Sequence, residues 1–330
     1  MAGLVFAAAI LGSACKQTGG EASDPASVEN GDPEQAGPSS SPPKRDGFGY
    51  AATGGRGGKV YRVTSLEDKG PGTLRAGAES SSPLRIGFRV SGVITLRSPI
   101  RVKSNKTIDG EGAEVTISKQ GLQISESHNI IIRNLTFAHG IGSNTDAIQI
   151  LAGAKTVLID HCDFSDWKDG LVDITQGATM VTLSWNYFHD QDKVILIDPF
   201  EREGSVRVTL HHNFFEGTRE RNPKGRSSEV HAYNNYLLGW TAYGMEAGRD
   251  GEIFSQANVF ETITDKEAVR AKEKTGSVRS EGDLLLNGAL VEEKNPSAVF
   301  DPSSYYEWTL ETADSELARL IREGSGVADG

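Results

Sequence analysis

The sequence predicts an all-β chain wound as a single-stranded parallel β-helix, a solenoid with short capping helices, and three observations carry that expectation. An eight-residue pattern recurs as "IIIRNLTF", "VLIDHCDF", "VTLSWNYF", "VTLHHNFF", "VHAYNNYL" and "IFSQANVF". Its last residues, Phe137, Phe164, Phe188, Phe215, Leu237 and Phe260, lie 22 to 27 positions apart. Such a period marks a solenoid. The sixth column reads Leu135, Cys162, Asn186, Asn213, Asn235, Asn258, an asparagine ladder whose stacked amides hydrogen-bond along the axis.

Each unit opens with alternation of period two. Ile130 and Ile132, Val157 and Ile159, Val181 and Leu183, and Val208 and Leu210 are therefore expected to point inward. A strand this short has no core of its own; stacked coils align the inward residues into continuous ladders and pair each backbone with its neighbours. The phenylalanine column is read as core packing. At the ends, "GTLRAGAE" (72–79) is expected as a short helix over the N-terminal mouth. "TADSELARLIREG" offers Leu317, Leu320 and Ile321 at helical spacing with Gly324 as a stop, a helix packed on the outside or end. "TGGRGGKV" (53–60) fails as a phosphate loop, since Val60 follows the lysine and Thr53 takes the first glycine position, and is read as a glycine-rich turn.

Ahead of this lies different material. Residues 1–15, "MAGLVFAAAILGSAC", form an apolar run too short to span a bilayer, read as a secretion signal. "LGSAC" resembles a bacterial lipoprotein signal with Cys15 as the acylated residue. No Lys or Arg precedes the run and Gly12 replaces a larger apolar residue, so lipid anchoring at Cys15, simple secretion and a mis-assigned start all stay open. Residues 16–46 are rich in Pro, Gly, Ser and acids and read as a disordered linker, leaving 47–330 as the β-helix domain. Two cysteines allow no disulfide framework, and Cys162 reads as a small core residue. A net charge of −11 argues against nucleic acid or an anionic membrane as partner. Any anionic ligand must be held by local charge or a bridging cation.

Local charge is present. "SNTDAIQI" carries Asn144 and Asp146, and "KDGLVDI" carries Asp169 and Asp173. Aligning Ile148 with Val172 and Ile150 with Ile174 puts these acids on facing edges of coils about 4.8 Å apart. Three carboxylates and an amide oxygen converging there suit Ca²⁺. The next coil brings Lys193 beside Gly170, and the one after brings "RERNPKGR", with Arg219, Arg221, Lys224 and Arg226. Acids, a lysine and an arginine cluster thus climb one side, a groove for an extended anionic chain.

From about Gly47 to Glu261 the chain resembles the pectate lyase family. The resemblance is carried by "GFGYAATGGRGGKVYRVTSLEDKGPGTLR", "NKTIDGEG", "LIDHCDF", "DGLVDI", "VTLSWNYFHDQDK" and "RNPKGR" read as Arg-x-Pro-x-x-Arg. It implies a right-handed parallel β-helix, a secreted or outer-surface location, a monomer, and calcium-dependent β-elimination of polygalacturonate to 4,5-unsaturated products. Residue by residue it implies Asp146, Asp169 and Asp173, with Asn144, as calcium ligands. Lys193 and Arg226 would bind substrate and Arg221 would be the catalytic arginine. Asn144 stands where some members have aspartate, Leu158 replaces a common tryptophan, and Gln191 replaces the histidine of the usual "DHDK".

An arginine has a pKa above 12 and normally stays protonated, so Arg221 serves either as a base whose charged form cationic neighbours disfavour or as a stabiliser of charge while hydroxide takes the proton. Arg219 and Lys224 read as solvated charges and His161 as structural. Other readings of the fold are a polygalacturonase-like hydrolase, a calcium-independent pectin lyase, and a non-enzymatic surface protein. The paired-aspartate, Gly-His-Gly and Arg-Ile-Lys stretches of the first are absent. The acids argue against the second, and the joint presence of Lys193, Arg221 and Arg226 argues against the third.

Overall fold

In a computed structural model the described residues are 28–29, 46–142, 145–200 and 206–327. The expected signal with Cys15, and the expected linker apart from Val28, Glu29 and Asp46, lie outside them. Among these residues the strands of the repeat wind into nine coils, each giving one strand to each of three sheets. The first coil holds Leu84–Phe88, Gly92–Thr95 and Ile100–Arg101; the ninth holds Ser277–Glu281, Leu284–Leu286 and Ala289–Val291. Every pairing between coils is parallel, and a short strand, Val28–Glu29, pairs antiparallel with Lys59–Val63 at the edge of the first sheet.

The alternation read in the sequence sets the core. Ile130, Ile132, Val157, Ile159, Val181, Leu183, Val208 and Leu210 are fully buried. Phe137, Phe164, Phe188 and Phe215 stack with ring centroids 4.9, 5.1 and 4.9 Å apart. The asparagine ladder forms: Asn186 Nδ2 donates to Asn213 Oδ1, Asn213 to Asn235 and Asn235 to Asn258, each at 2.9 Å. It continues at both ends, where Cys162 N donates to Asn186 Oδ1 at 3.0 Å and Asn258 donates to Asp283 Oδ1 at 3.1 Å. The sequence pattern covers the six coils from 130 to 261. It does not cover the first two or the ninth: Gly110–Ala113 makes the turn in the second coil, and Asp283 takes the asparagine position in the ninth.

The glycine-rich segment 46–58 lies flat across the outer face of the first sheet. Phe48 N donates to Thr209 Oγ1 (3.1 Å), Gly49 N to Thr182 Oγ1 (2.8 Å), Thr53 N to Asn129 Oδ1 (2.6 Å) and Gly55 N to Thr107 Oγ1 (3.0 Å). A Cβ on Gly49 would meet the Val157 carbonyl oxygen at 2.3 Å, and one on Gly55 the Leu84 oxygen at 1.9 Å. Close backbone approach is the reason for these glycines. From the other terminus, Tyr306 Oη bonds Thr209 Oγ1 (2.9 Å) and His231 Nδ1 (2.7 Å), and its ring meets Phe48 edge-on at 5.0 Å.

Both expected helices form. Leu74–Ala78, N-capped by Thr73, buries Leu74 against the first coil. Ser315–Gly324 is N-capped by Asp314 Oδ1, which accepts from Glu316 N and Leu317 N at 2.9 Å. It packs Leu317 and Ile321 on Phe214, Tyr236 and Val259, outside the second sheet. Leu320, grouped with them in the sequence, is 39% exposed, since only the i, i+4 pair faces the sheet.

Candidate active site

The register expected from the sequence is the observed one: Ile148 pairs with Val172, Gln149 with Asp173 and Ile150 with Ile174. Outward residues of the third sheet therefore run Gln123, Gln149, Asp173, Leu196, Lys224, Glu246 and Arg270 from coil to coil. Asp146, Asp169, Lys193 and Arg221 stand on the turns that feed this sheet.

Asp146 is 6% exposed, and both its oxygens are held: Oδ1 accepts Gly170 N at 2.8 Å and Oδ2 accepts Gln149 Nε2 at 2.9 Å. Gly170 separates Asp146 from Asp173. A Cβ there would lie 2.7 Å from Asp146 Oδ1 and 2.9 Å from Asp173 Oδ1, so the two carboxylates face each other across a gap that only glycine leaves open. Burial raises the Asp146 pKa, and the nearby Asp169 charge adds to it, against the Gln149 and Gly170 hydrogen bonds and the Arg221 charge. Asp173 is raised well above the usual carboxylate range, first by burial, then by the charge of Asp146; Arg221 opposes this. Two crowded hard-oxygen donors whose ionised forms are this costly fit a hard divalent cation, which would supply the missing counter-charge.

The structure brings Asp146 and Asp173 together but turns Asp169 toward Lys193, with Oδ1 3.3 Å from Nζ. Among the described residues no three acidic, histidine or cysteine side chains stand close enough to hold a metal ion. Asn144 lies outside the described residues.

Arg221 sits one coil beyond Lys193, in the left-handed region at φ 65°, with its carbonyl accepting Ile195 N at 2.7 Å. It is followed by the cis peptide Asn222–Pro223. Among the described residues its guanidinium makes no hydrogen bond or ion pair, while its charge reaches both Asp146 and Asp173. Arg226 is occupied: Nε donates to Glu273 Oε1 at 2.9 Å, and Nη1 lies 3.3 Å from Asp198 Oδ2. Burial disfavours its charge, but those two carboxylates outweigh burial and raise its pKa.

Lys224, read as a solvated charge, instead has Nζ 2.6 Å from Glu246, a buried carboxylate that Arg270 also grips at 2.5 Å. Arg219 is solvated as read, paired with Asp192 at 2.8 Å. His161 is structural, with Nδ1 2.9 Å from Asp160 and its ring stacked on Trp185 at 5.8 Å. Three residues of the site have no role assigned from the sequence: Gly170, Gln149 and Gln191. Gln149 was findable, because it stands opposite Asp173 in the same register; Gln191 was noticed only as a departure from a pattern.

A family model described as pectate lyase matches residues 93–328. The chain is 35% identical over 319 residues to probable pectate lyase 5 of Arabidopsis thaliana, covering 85% of this chain and 77% of that protein. It is 33% identical over 317 residues to probable pectate lyase 18 of Solanum lycopersicum, covering 85% and 78%. Solved structures similar to it include the major allergen of cedar pollen (28% identity, TM-score 0.78, 86% of this chain and 93% of that one). Another is a pectate lyase from Bacillus sp. N165 in complex with trigalacturonate (25% identity, TM-score 0.70, 86% and 98%). With a family model over most of its length and relatives above 30% identity across more than two thirds of it, this chain belongs to the pectate lyase family.

Proposed function

We propose that the protein is a calcium-dependent lyase that cleaves α-1,4-linked polygalacturonate by β-elimination. The observation that carries this reading is an arginine without a partner among the described residues, Arg221, facing a close carboxylate pair on the same side as Lys193. In β-elimination the proton at C5 leaves, its electron pair forms the C4–C5 double bond, and the C4–O bond breaks. Asp146, Asp169 and Asp173, with Asn144, would hold Ca²⁺, which supplies a Lewis acid to the uronate carboxylate. Lys193 donates to the same carboxylate, so that negative charge developing there meets a fixed cation. Arg221 stands at the C5 proton, as base or as the cation that stabilises the departing charge. Arg226 binds a neighbouring uronate through the guanidinium edge that Asp198 and Glu273 leave open. The acidic chain thereby holds a polyanion by local cations. The enzyme acts outside the cell, secreted or anchored through Cys15, as a monomer. No helix among the described residues is long and apolar enough to cross a membrane.

Ultraviolet absorbance during incubation with polygalacturonate, with calcium and then with chelator, tests the reading. A calcium-dependent rise reports the unsaturated product. New reducing ends without absorbance mean hydrolysis, and the absence of both signals favours a binding role or another substrate. Arg221→Ala is expected to lower kcat by about 10²–10⁴-fold with thermal melting unchanged; near-normal turnover would remove Arg221 from the mechanism.

A further inference from the structure

Gln191 is buried, 6% exposed, at the centre of the site, and touches none of the reacting atoms proposed above. Its Oε1 accepts Trp167 N at 2.9 Å. Its Nε2 lies 3.0 Å from the Trp167 carbonyl oxygen, 2.6 Å from that of Asp169 and 3.1 Å from that of Lys193. Three carbonyls surround one end of the amide and an N–H faces the other, so the hydrogen-bond chemistry itself dictates which end is nitrogen. Its own backbone carbonyl accepts Arg219 N at 2.9 Å, two residues before Arg221. One residue thus ties together three successive coils, the ones that carry Asp169 and Gly170, Lys193, and Arg221.

We propose that Gln191 is a positioning residue: its buried amide sets the Asp169–Gly170 turn and the Lys193 turn in one register, so that the carboxylates and the ammonium meet the same uronate. The inference rests on the lyase reading for what the register serves, and on the four hydrogen bonds for the register itself. An amide suits the place because it offers two donors and one acceptor without charge. A glutamate would aim oxygen at three carbonyl oxygens, and an apolar side chain would leave three carbonyls and one N–H without their partner. A histidine keeps one donor and one acceptor and satisfies part of the set.

The test uses the full chain with Gln191→Met, an unbranched replacement of similar volume, and Gln191→His. Calcium affinity is read by titration calorimetry, kcat and KM on polygalacturonate, and folding by circular dichroism and thermal melting. In a folded Gln191→Met protein, calcium affinity is expected to fall about 10–100-fold, as for other groups that orient metal ligands; kcat/KM should fall with it, and Gln191→His should recover most of both. A lowered melting temperature with calcium affinity and kcat/KM at wild-type values would overturn the proposal, since that is the mark of a purely structural bond. Should Gln191→Met not fold, Gln191→Asn decides: it keeps the amide but is one methylene too short, and wild-type calcium binding in it would also overturn the proposal. If the wild-type protein makes no unsaturated product, the lyase reading fails, while calorimetry still reports whether Gln191 sets the turn.

Discussion

At the scale of single residues, Gly170 and Asp173 define the site more sharply than any charge count. The atoms nearest to a methyl group at Gly170 would be the carboxylate oxygens of Asp146 and Asp173, 2.7 and 2.9 Å away. Gly170→Ala should therefore fold, with both carboxylates swung aside and calcium affinity reduced about tenfold or more; an unchanged calorimetric titration would exclude the gap between Asp146 and Asp173 as the cation site. Asp173 supplies a pH test. Its folded pKa is raised, so the native state binds the proton more tightly than the unfolded chain. Without calcium, this group's contribution is unfavourable at neutral pH and disappears as the pH falls through its raised pKa toward the ordinary 3.8. Asp173→Asn is accordingly expected to raise the melting temperature of calcium-free protein at pH 7 and to abolish the gain on adding calcium. A lowered melting temperature in chelator would refute this account of the pair.

At the scale of elements, the turn after the first-sheet strand is held in the fifth to eighth coils by the asparagine ladder. Asn213 donates to Leu183 O and Asn235 Oδ1, both at 2.9 Å, and accepts from Asn186 N and Nδ2 at 3.1 and 2.9 Å. Asn213→Ala would strand several buried groups at once, and a loss of about 2–4 kcal/mol in denaturant unfolding is expected. A change within about 0.5 kcal/mol, the size of an ordinary surface substitution, would show that water or slippage replaces the ladder. This element was readable in advance because an identical side chain recurs at one position of a period. The charged ladder Lys224, Glu246, Arg270 was not, because its members are of different types and meet only when the register of the third sheet is known.

Across the whole molecule, the repeat made the solenoid legible over six coils, the third to the eighth, while the first two and the ninth stayed unread. Asp146, Asp169, Asp173, Lys193 and Arg221 were legible as a stripe, since pairing the third-sheet strands stacks the turns that precede them. What alternation does not encode is rotamer and partner: that Asp169 turns to Lys193, that Arg226 is already held by two carboxylates, that Gln191 spans two turns. The flat segment 46–58 was legible only as glycine-rich, yet it binds Thr209, Thr182, Asn129 and Thr107, which belong to the sixth, fifth, third and second coils. A load applied to the chain ahead of Asp46 would therefore be shared by bonds spread along the axis and strained together in shear. The coils beneath it would be splinted against peeling one at a time, so resistance to mechanical extension at this end is a property of the strap as a whole.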